Sequence, residues 1–232
     1  MARLNLTIED KDGKRTVSFA VSRMINAGYT SRDQRALRHH IDELRQKGIP
    51  APSSIPTLYP VASYLILTGG TVEVVDEQNS GEAEFVLLVK GKELLVAVGS
   101  DHTDRNLEST SIIKAKQMCP NVMSPTVWRF EELEDHWDEL ILRSWVTKDG
   151  KRILYQEGKV SELMPPHDLL SFVKSKLVDE CMENLVIFSG TIPTIGGEII
   201  SGERFEAQLY DPVADRSLWC KYDVRLLDFL TI

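Results

Sequence analysis

Cysteine is scarce in this chain and positive charge is in deficit. Cys119, Cys181 and Cys220 are the only three cysteines in 232 residues. An odd, dispersed set is not a disulfide framework, and the opening stretch MARLNLTIEDKDGKR lacks the apolar core of a secretory signal, so a reducing cytoplasm is expected. Lys and Arg number 27 against 35 Asp and Glu, a net charge of −8. That balance argues against a general polyanion surface, so no nucleic-acid partner is expected. No apolar run approaches the ~20 residues of a spanning helix, so no membrane partner is expected either. Internal repeats, low-complexity tracts and marked domain boundaries are also lacking. What is present is a chain 42% hydrophobic, enough for a sizeable core. One domain over residues 1–232 is expected, with a hairpin in residues 1–24 packed on it.

β-favouring segments dominate. RLNLTIE and RTVSFAV flank DKDGK, a hairpin signal of the Asp-Gly type. Ser31 as N-cap, Leu37, Ile41 and Leu44 at helical spacing and Gly48 as a stop predict a helix over Asp33 to Lys47. IPAPSSIPTLYP holds four prolines in twelve residues, which predicts an extended linker or the wall of a site. Strand character runs from Tyr64 to Ser100. A mixed segment follows to Met123, then a strand at LILRSWV, a hairpin at TKDGKRILYQEG, a helix near His167 to Asp179, and strands at NLVIFSG and ERFEAQLYD.

Within SGEAEFVLLVKGKELLVAVGSDHTDR three carboxylates invite chemistry. If the chain turns through Gly91 and Lys92, Glu82 lies opposite Asp101 and Glu84 opposite Gly99. Glu82 and Glu84 share a face by the period of two, and opposed residues share a face, so the three would converge with Cα atoms roughly 5–7 Å apart. An all-oxygen set of three carboxylates suits Mg²⁺ or Mn²⁺ and leaves coordination positions for water or substrate. The same pattern also suits two glutamates on the wet face of an amphipathic strand.

GEAEF, then Asp101 with Arg105, then Lys116 in IIKAKQMCP resemble, in order, motifs of the fumarylacetoacetate hydrolase family. Upstream, His40 and Glu43 match its H-x-x-E before a proline-rich stretch. Downstream, YQEG resembles its Gln-x-Gly turn and SGTIP its glycine loop. Roughly residues 25–225 are covered. The chain departs from the family in having Ser100 before the aspartate, a short segment between E-x-E and Asp101, Glu108 where many members have Gln, and AGYTSRD in place of an Asn-Tyr motif.

The resemblance implies a β-rich α+β fold, the family's mixed β-roll with a few peripheral helices. It implies a hydrolase that cleaves a C–C bond in a small oxo acid of the acylpyruvate or 1,3-dicarbonyl type, through a metal-stabilised enolate. Glu82, Glu84 and Asp101 would hold Mg²⁺ or Mn²⁺, His40 would activate water, Glu43 would orient His40, and Lys116 would stabilise the oxyanion. Arg105, Glu108, Gly190 and Thr191 would meet a small carboxylate substrate. A homodimer is implied. His40 and Glu43 at helical spacing also suit an ordinary surface pair, Arg105 also suits a solvated arginine, and Lys114 competes with Lys116. Decarboxylation, tautomerisation or dehydration of a 2-oxo acid would use the same metal centre, and a non-catalytic binding domain would keep only the scaffold.

Overall fold

The computed structural model describes residues 2–35, 37–38 and 54–230. Strands β1 (Ala2–Asp10) and β2 (Gly13–Val21) form the expected hairpin, paired from Ala2 with Val21 to Asp10 with Gly13. It is part of the main sheet, because β1 also runs parallel to a strand at Thr126–Arg129. Strand β3 (Arg23–Gly28) pairs with β4 (Thr57–Val61), which the proline-rich stretch supplies. β4 lies at the end of the sheet order, where Pro60 removes no ladder bond from a further neighbour. Between them, helical backbone begins at Gln34. The rest of the expected helix, with His40 and Glu43, lies outside the described residues.

Short strands β5 (Ile66–Leu67), β6 (Thr71–Val74) and β7 (Asn79–Ser80) lead into β8 (Ala83–Lys90) and β9 (Glu93–Asp101). β8 is buried on both faces. Phe85 and Leu87 enter one apolar cluster, while Val86 and Leu88 enter the other, which explains a nearly continuous apolar run. The segment to Met123 holds β10 (Thr103–Asp104), helices Arg105–Glu108 and Ile112–Met118, and β11 (Asn121–Met123).

After β12 (Thr126–Arg129), β13 (Ile141–Lys148) and β14 (Lys151–Lys159) form a hairpin that turns through Asp149 and Gly150, whereas the first hairpin turns through Lys11 and Asp12 with Gly13 already in its strand. Asp149 and Gly150 take φ of 51° and 69°, as a two-residue hairpin turn requires. The next helix spans Pro166–Lys176, three residues short of the expected Asp179, because Leu177 is extended. β15 (Leu185–Phe188), β16 (Arg204–Asp211) and β17 (Arg216–Leu226) complete the chain.

The main sheet runs β2-β1-β12-β9-β8-β15-β3-β4, with β11 and β5 branching from β9; a second sheet runs β14-β13-β16-β17-β6. The larger apolar cluster draws on both sheets, through Phe85 and Val98 of the first and Phe205 and Tyr222 of the second. The smaller cluster covers the other face of the main sheet beneath the N-terminal hairpin.

Candidate metal centre and its cavity

β8 and β9 pair in the expected register, with Ala83 opposite Ser100, Glu84 opposite Gly99 and Lys90 opposite Glu93. The Asp101 N–H donates to the Glu82 carbonyl at 3.1 Å, extending the pairing one step past Ala83. Along this face the apolar series Leu88, Val86 gives way to Glu84 and Glu82. Gly99 is the residue this geometry needs, since a Cβ there would stand 2.7 Å from both Phe188 and Val86.

The carboxylates of Glu82, Glu84 and Asp101 converge, each offering an oxygen within 4.8 Å of the others. Glu84 and Asp101 are almost wholly buried, at 1% and 0% exposure. Burial first, and then the adjacent Asp101, pushes the Glu84 carboxyl well above its ordinary range. Burial also works against ionised Glu82, but Arg105 and Lys116 outweigh it and hold Glu82 below the ordinary range. Three crowded oxygen donors, one of them held above its ordinary range by burial and by Asp101, suit a hard divalent cation.

Lys116 sits beside the triad, bonded to Asp101 Oδ2 and 4.0 Å from Glu82 Oε2. Burial disfavours its charge, yet Asp101, Glu82 and Glu84 more than compensate and raise its pKa, so it stays an ammonium. Lys114 points to solvent, which separates the two lysines.

Several expected substrate contacts are already engaged within the protein. Arg105 donates to Ser80 Oγ and Glu108 Oε2, each at 2.8 Å, and its Nη2 faces Glu82 Oε1 at 3.0 Å. The Gly190 N–H donates to Glu84 Oε2 at 2.9 Å and so orients a carboxylate of the triad. Thr191 donates its hydroxyl to the Ala83 carbonyl at 2.7 Å. Buried Gln156 locks this corner: its amide donates to Thr191 Oγ1 and the Ile192 carbonyl, while its oxygen accepts from the Ala83 N–H and Ser144 Oγ. The Gln-x-Gly segment, which lies within β14 and not in the turn expected of it, thus ties the glycine loop to β8.

A cavity of about 590 Å³ opens onto Glu82, Glu84 and Lys116, with Glu108, Gly190 and Thr191 also in its wall. Tyr29, Tyr59 and Glu162 line it too, and no role was expected for them. Tyr59 lies in the proline-rich stretch read as a possible site wall. Tyr29 had only the AGYTSRD segment as a signal, and its φ of 56° holds it in the left-handed region.

His102 follows the triad directly but faces away from water, between Tyr222 Oη and Asn79 Oδ1, each at 2.9 Å. Burial, aided by Arg105, lowers its pKa to about 3, so it is neutral and its ring is spent on this network. Tyr222 continues this network to Ser100 Oγ, which accepts the Glu82 N–H. The serine before Asp101 therefore helps to hold the first glutamate.

A family model described as a protein of unknown function, DUF2848, matches residues 27–222. No curated protein sequence matches the chain significantly. Among solved structures, Cg1458 is similar with a TM-score of 0.64 at 14% identity, over 92% of this chain and 80% of that one. A 2-keto-3-deoxyarabinonate dehydratase gives 0.65 at 11% identity, over 94% and 78%. The same dehydratase complexed with magnesium and 2,5-dioxopentanoate gives 0.63 at 12%, again over 94% and 78%. These neighbours belong to the fumarylacetoacetate hydrolase superfamily, and the fold here is the β-rich α+β fold of that type. No described helix is long and apolar enough to cross a membrane.

Proposed function

The chain belongs to the DUF2848 family of proteins of unknown function, and from that premise we propose that it is a divalent-metal-dependent enzyme acting on a small 2-oxo acid. The observation that carries this reading is the convergence of Glu82, Glu84 and Asp101 beside a cavity that Glu82, Glu84 and Lys116 line. Glu82, Glu84 and Asp101 would hold Mg²⁺ or Mn²⁺. A bound dication supplies Lewis-acid polarisation of the oxo group. Lys116, kept charged by its carboxylate neighbours, can donate a hydrogen bond to an oxyanion developing as a bond near that group breaks. The Gly190 N–H and the Gln156 corner keep Glu84 and β8 in position while this happens. The fold's likeness to an oxo-acid enzyme that takes magnesium supports the choice of metal.

Hydrolysis of a C–C bond is the first form of this chemistry, with His40 as the base that would activate water and Glu43 to orient it. A lyase reaction, dehydration or decarboxylation, is the second. It is supported by the fold's likeness to a dehydratase that takes magnesium, and loss of CO₂ from an oxo acid needs no activated water.

The deciding experiment titrates Mn²⁺ calorimetrically into the wild type, Glu82→Ala and Asp101→Ala, then screens acylpyruvates and 2-oxo acids with product analysis. Binding by the wild type that is lost in both folded variants supports the centre. Unchanged affinity in both would sink it, and no binding by the wild type would leave a non-catalytic binding domain.

A further inference from the structure

We propose that Glu108 restricts the substrate to a monocarboxylic 2-oxo acid with an uncharged tail and rejects one that carries a second carboxylate. This deepens the proposed function and rests on the triad being a metal centre.

Among the described residues, the charged groups in the cavity wall are Glu82, Glu84, Glu108 and Glu162 against a single cation, Lys116. Lys116 is already bonded to Asp101. Arg105, the guanidinium nearest the triad, is absent from the wall, and its fork is committed to Ser80, Glu108 and Glu82. Glu108 is therefore a double obstacle to a second carboxylate: it occupies the arginine that would grip one, and it presents its own charge to the cavity.

The charge balance points the same way. With a dication bound, the five carboxylates of Glu82, Glu84, Asp101, Glu108 and Glu162 exceed by one the positive charge of the metal, Arg105 and Lys116. One substrate carboxylate would be drawn to the metal itself. Among the described residues a second would find no free countercharge in the cavity, and it would sit beside Glu108. With a neutral residue at 108 the same charges would balance.

The remaining wall suits an uncharged tail. Tyr29 and Tyr59 lie beside Glu108 and Lys116, and burial chiefly keeps both phenols protonated, so they are neutral hydrogen-bonding groups. The cavity of about 590 Å³ has room for a small oxo acid with a hydroxylated or apolar tail.

The test uses Mn²⁺-loaded protein and two oxo acids with the same five-carbon chain, 2-oxopentanoate and 2-oxoglutarate, which differ in a terminal methyl against a terminal carboxylate. Calorimetry should show 2-oxopentanoate bound at least ~10-fold more tightly by the wild type. Glu108→Gln keeps a partner for Arg105 while removing the charge. It should tighten 2-oxoglutarate by about 5- to 10-fold and leave 2-oxopentanoate within about 2-fold. Equal or tighter binding of 2-oxoglutarate by the wild type, a variant that moves both ligands alike, or failure of both oxo acids to bind would overturn the proposal. Failure of Mn²⁺ itself to bind would overturn the centre and this inference with it. Mn²⁺ binding with an unaltered ligand ratio overturns this inference alone.

Discussion

Mn²⁺ affinity should rise with pH by about tenfold per unit, and the cause is Glu84. This carboxyl is 1% exposed and stands beside Asp101, so it retains its proton above the ordinary 4.5 in the metal-free protein; the Gly190 N–H and Lys116 only partly oppose this. A cation entering the triad must displace that proton. One proton released per ion makes log K rise with unit slope, about 1.4 kcal/mol per pH unit, until Glu84 is ionised without metal.

Stability should move in the opposite sense. A carboxyl whose folded pKa is raised contributes stability that is present below about 4.5 and lost as pH climbs through the raised value. The metal-free protein should therefore melt at lower temperature as pH rises through this window, and saturating Mn²⁺ should cancel the decline. Glu82, held low by Arg105 and Lys116, gives its full contribution above 4.5 and is flat there. Calorimetry at three pH values, each in two buffers of different ionisation enthalpy, counts the protons; thermal melts with and without Mn²⁺ follow the stability. Mn²⁺ affinity independent of pH, with no proton released, would refute the assignment of Glu84 as a protonated ligand awaiting metal.

Gly190→Ala should lower unfolding stability by about 2–4 kcal/mol in urea titration. Gly190 has φ of +84°, and a Cβ there would overlap Thr30 Oγ1 and meet the Ala27 carbonyl at 3.0 Å; a loss under ~1 kcal/mol would mean the loop relaxes freely. His40→Ala should retain Mn²⁺ and, if water is activated there, lower kcat by ~10²- to 10⁴-fold. Near full activity with release of CO₂ or water would replace hydrolysis with the lyase reading.

The metal triad was legible because it is local. Gly91 and Lys92 turn the chain in two residues, and alternation along β8 and β9 then leaves one register that buries Phe85, Val86, Leu87 and Leu88 together. Once that register holds, Glu82, Glu84 and Asp101 must share a face. The hairpin through Asp149 and Gly150 was readable for the same reason, since a two-residue turn carries its backbone preference in its own residues.

What Arg105, Gly190 and Thr191 do was decided elsewhere. Within the protein, Gly190 meets Glu84 across 106 residues of chain, Thr191 meets Ala83 across 108, and Arg105 finds Ser80 across 25. Nothing within a few residues of a donor says which acceptor it will meet; that depends on β15 docking beside β8 and on Gln156 arriving from the other sheet. The buried place of His102, between Tyr222 and Asn79, has the same origin. Backbone register follows from dihedral preference and a period of two, which the sequence carries residue by residue. The partner of a polar side chain follows from which distant segments exclude water together, and only the packed tertiary structure decides that.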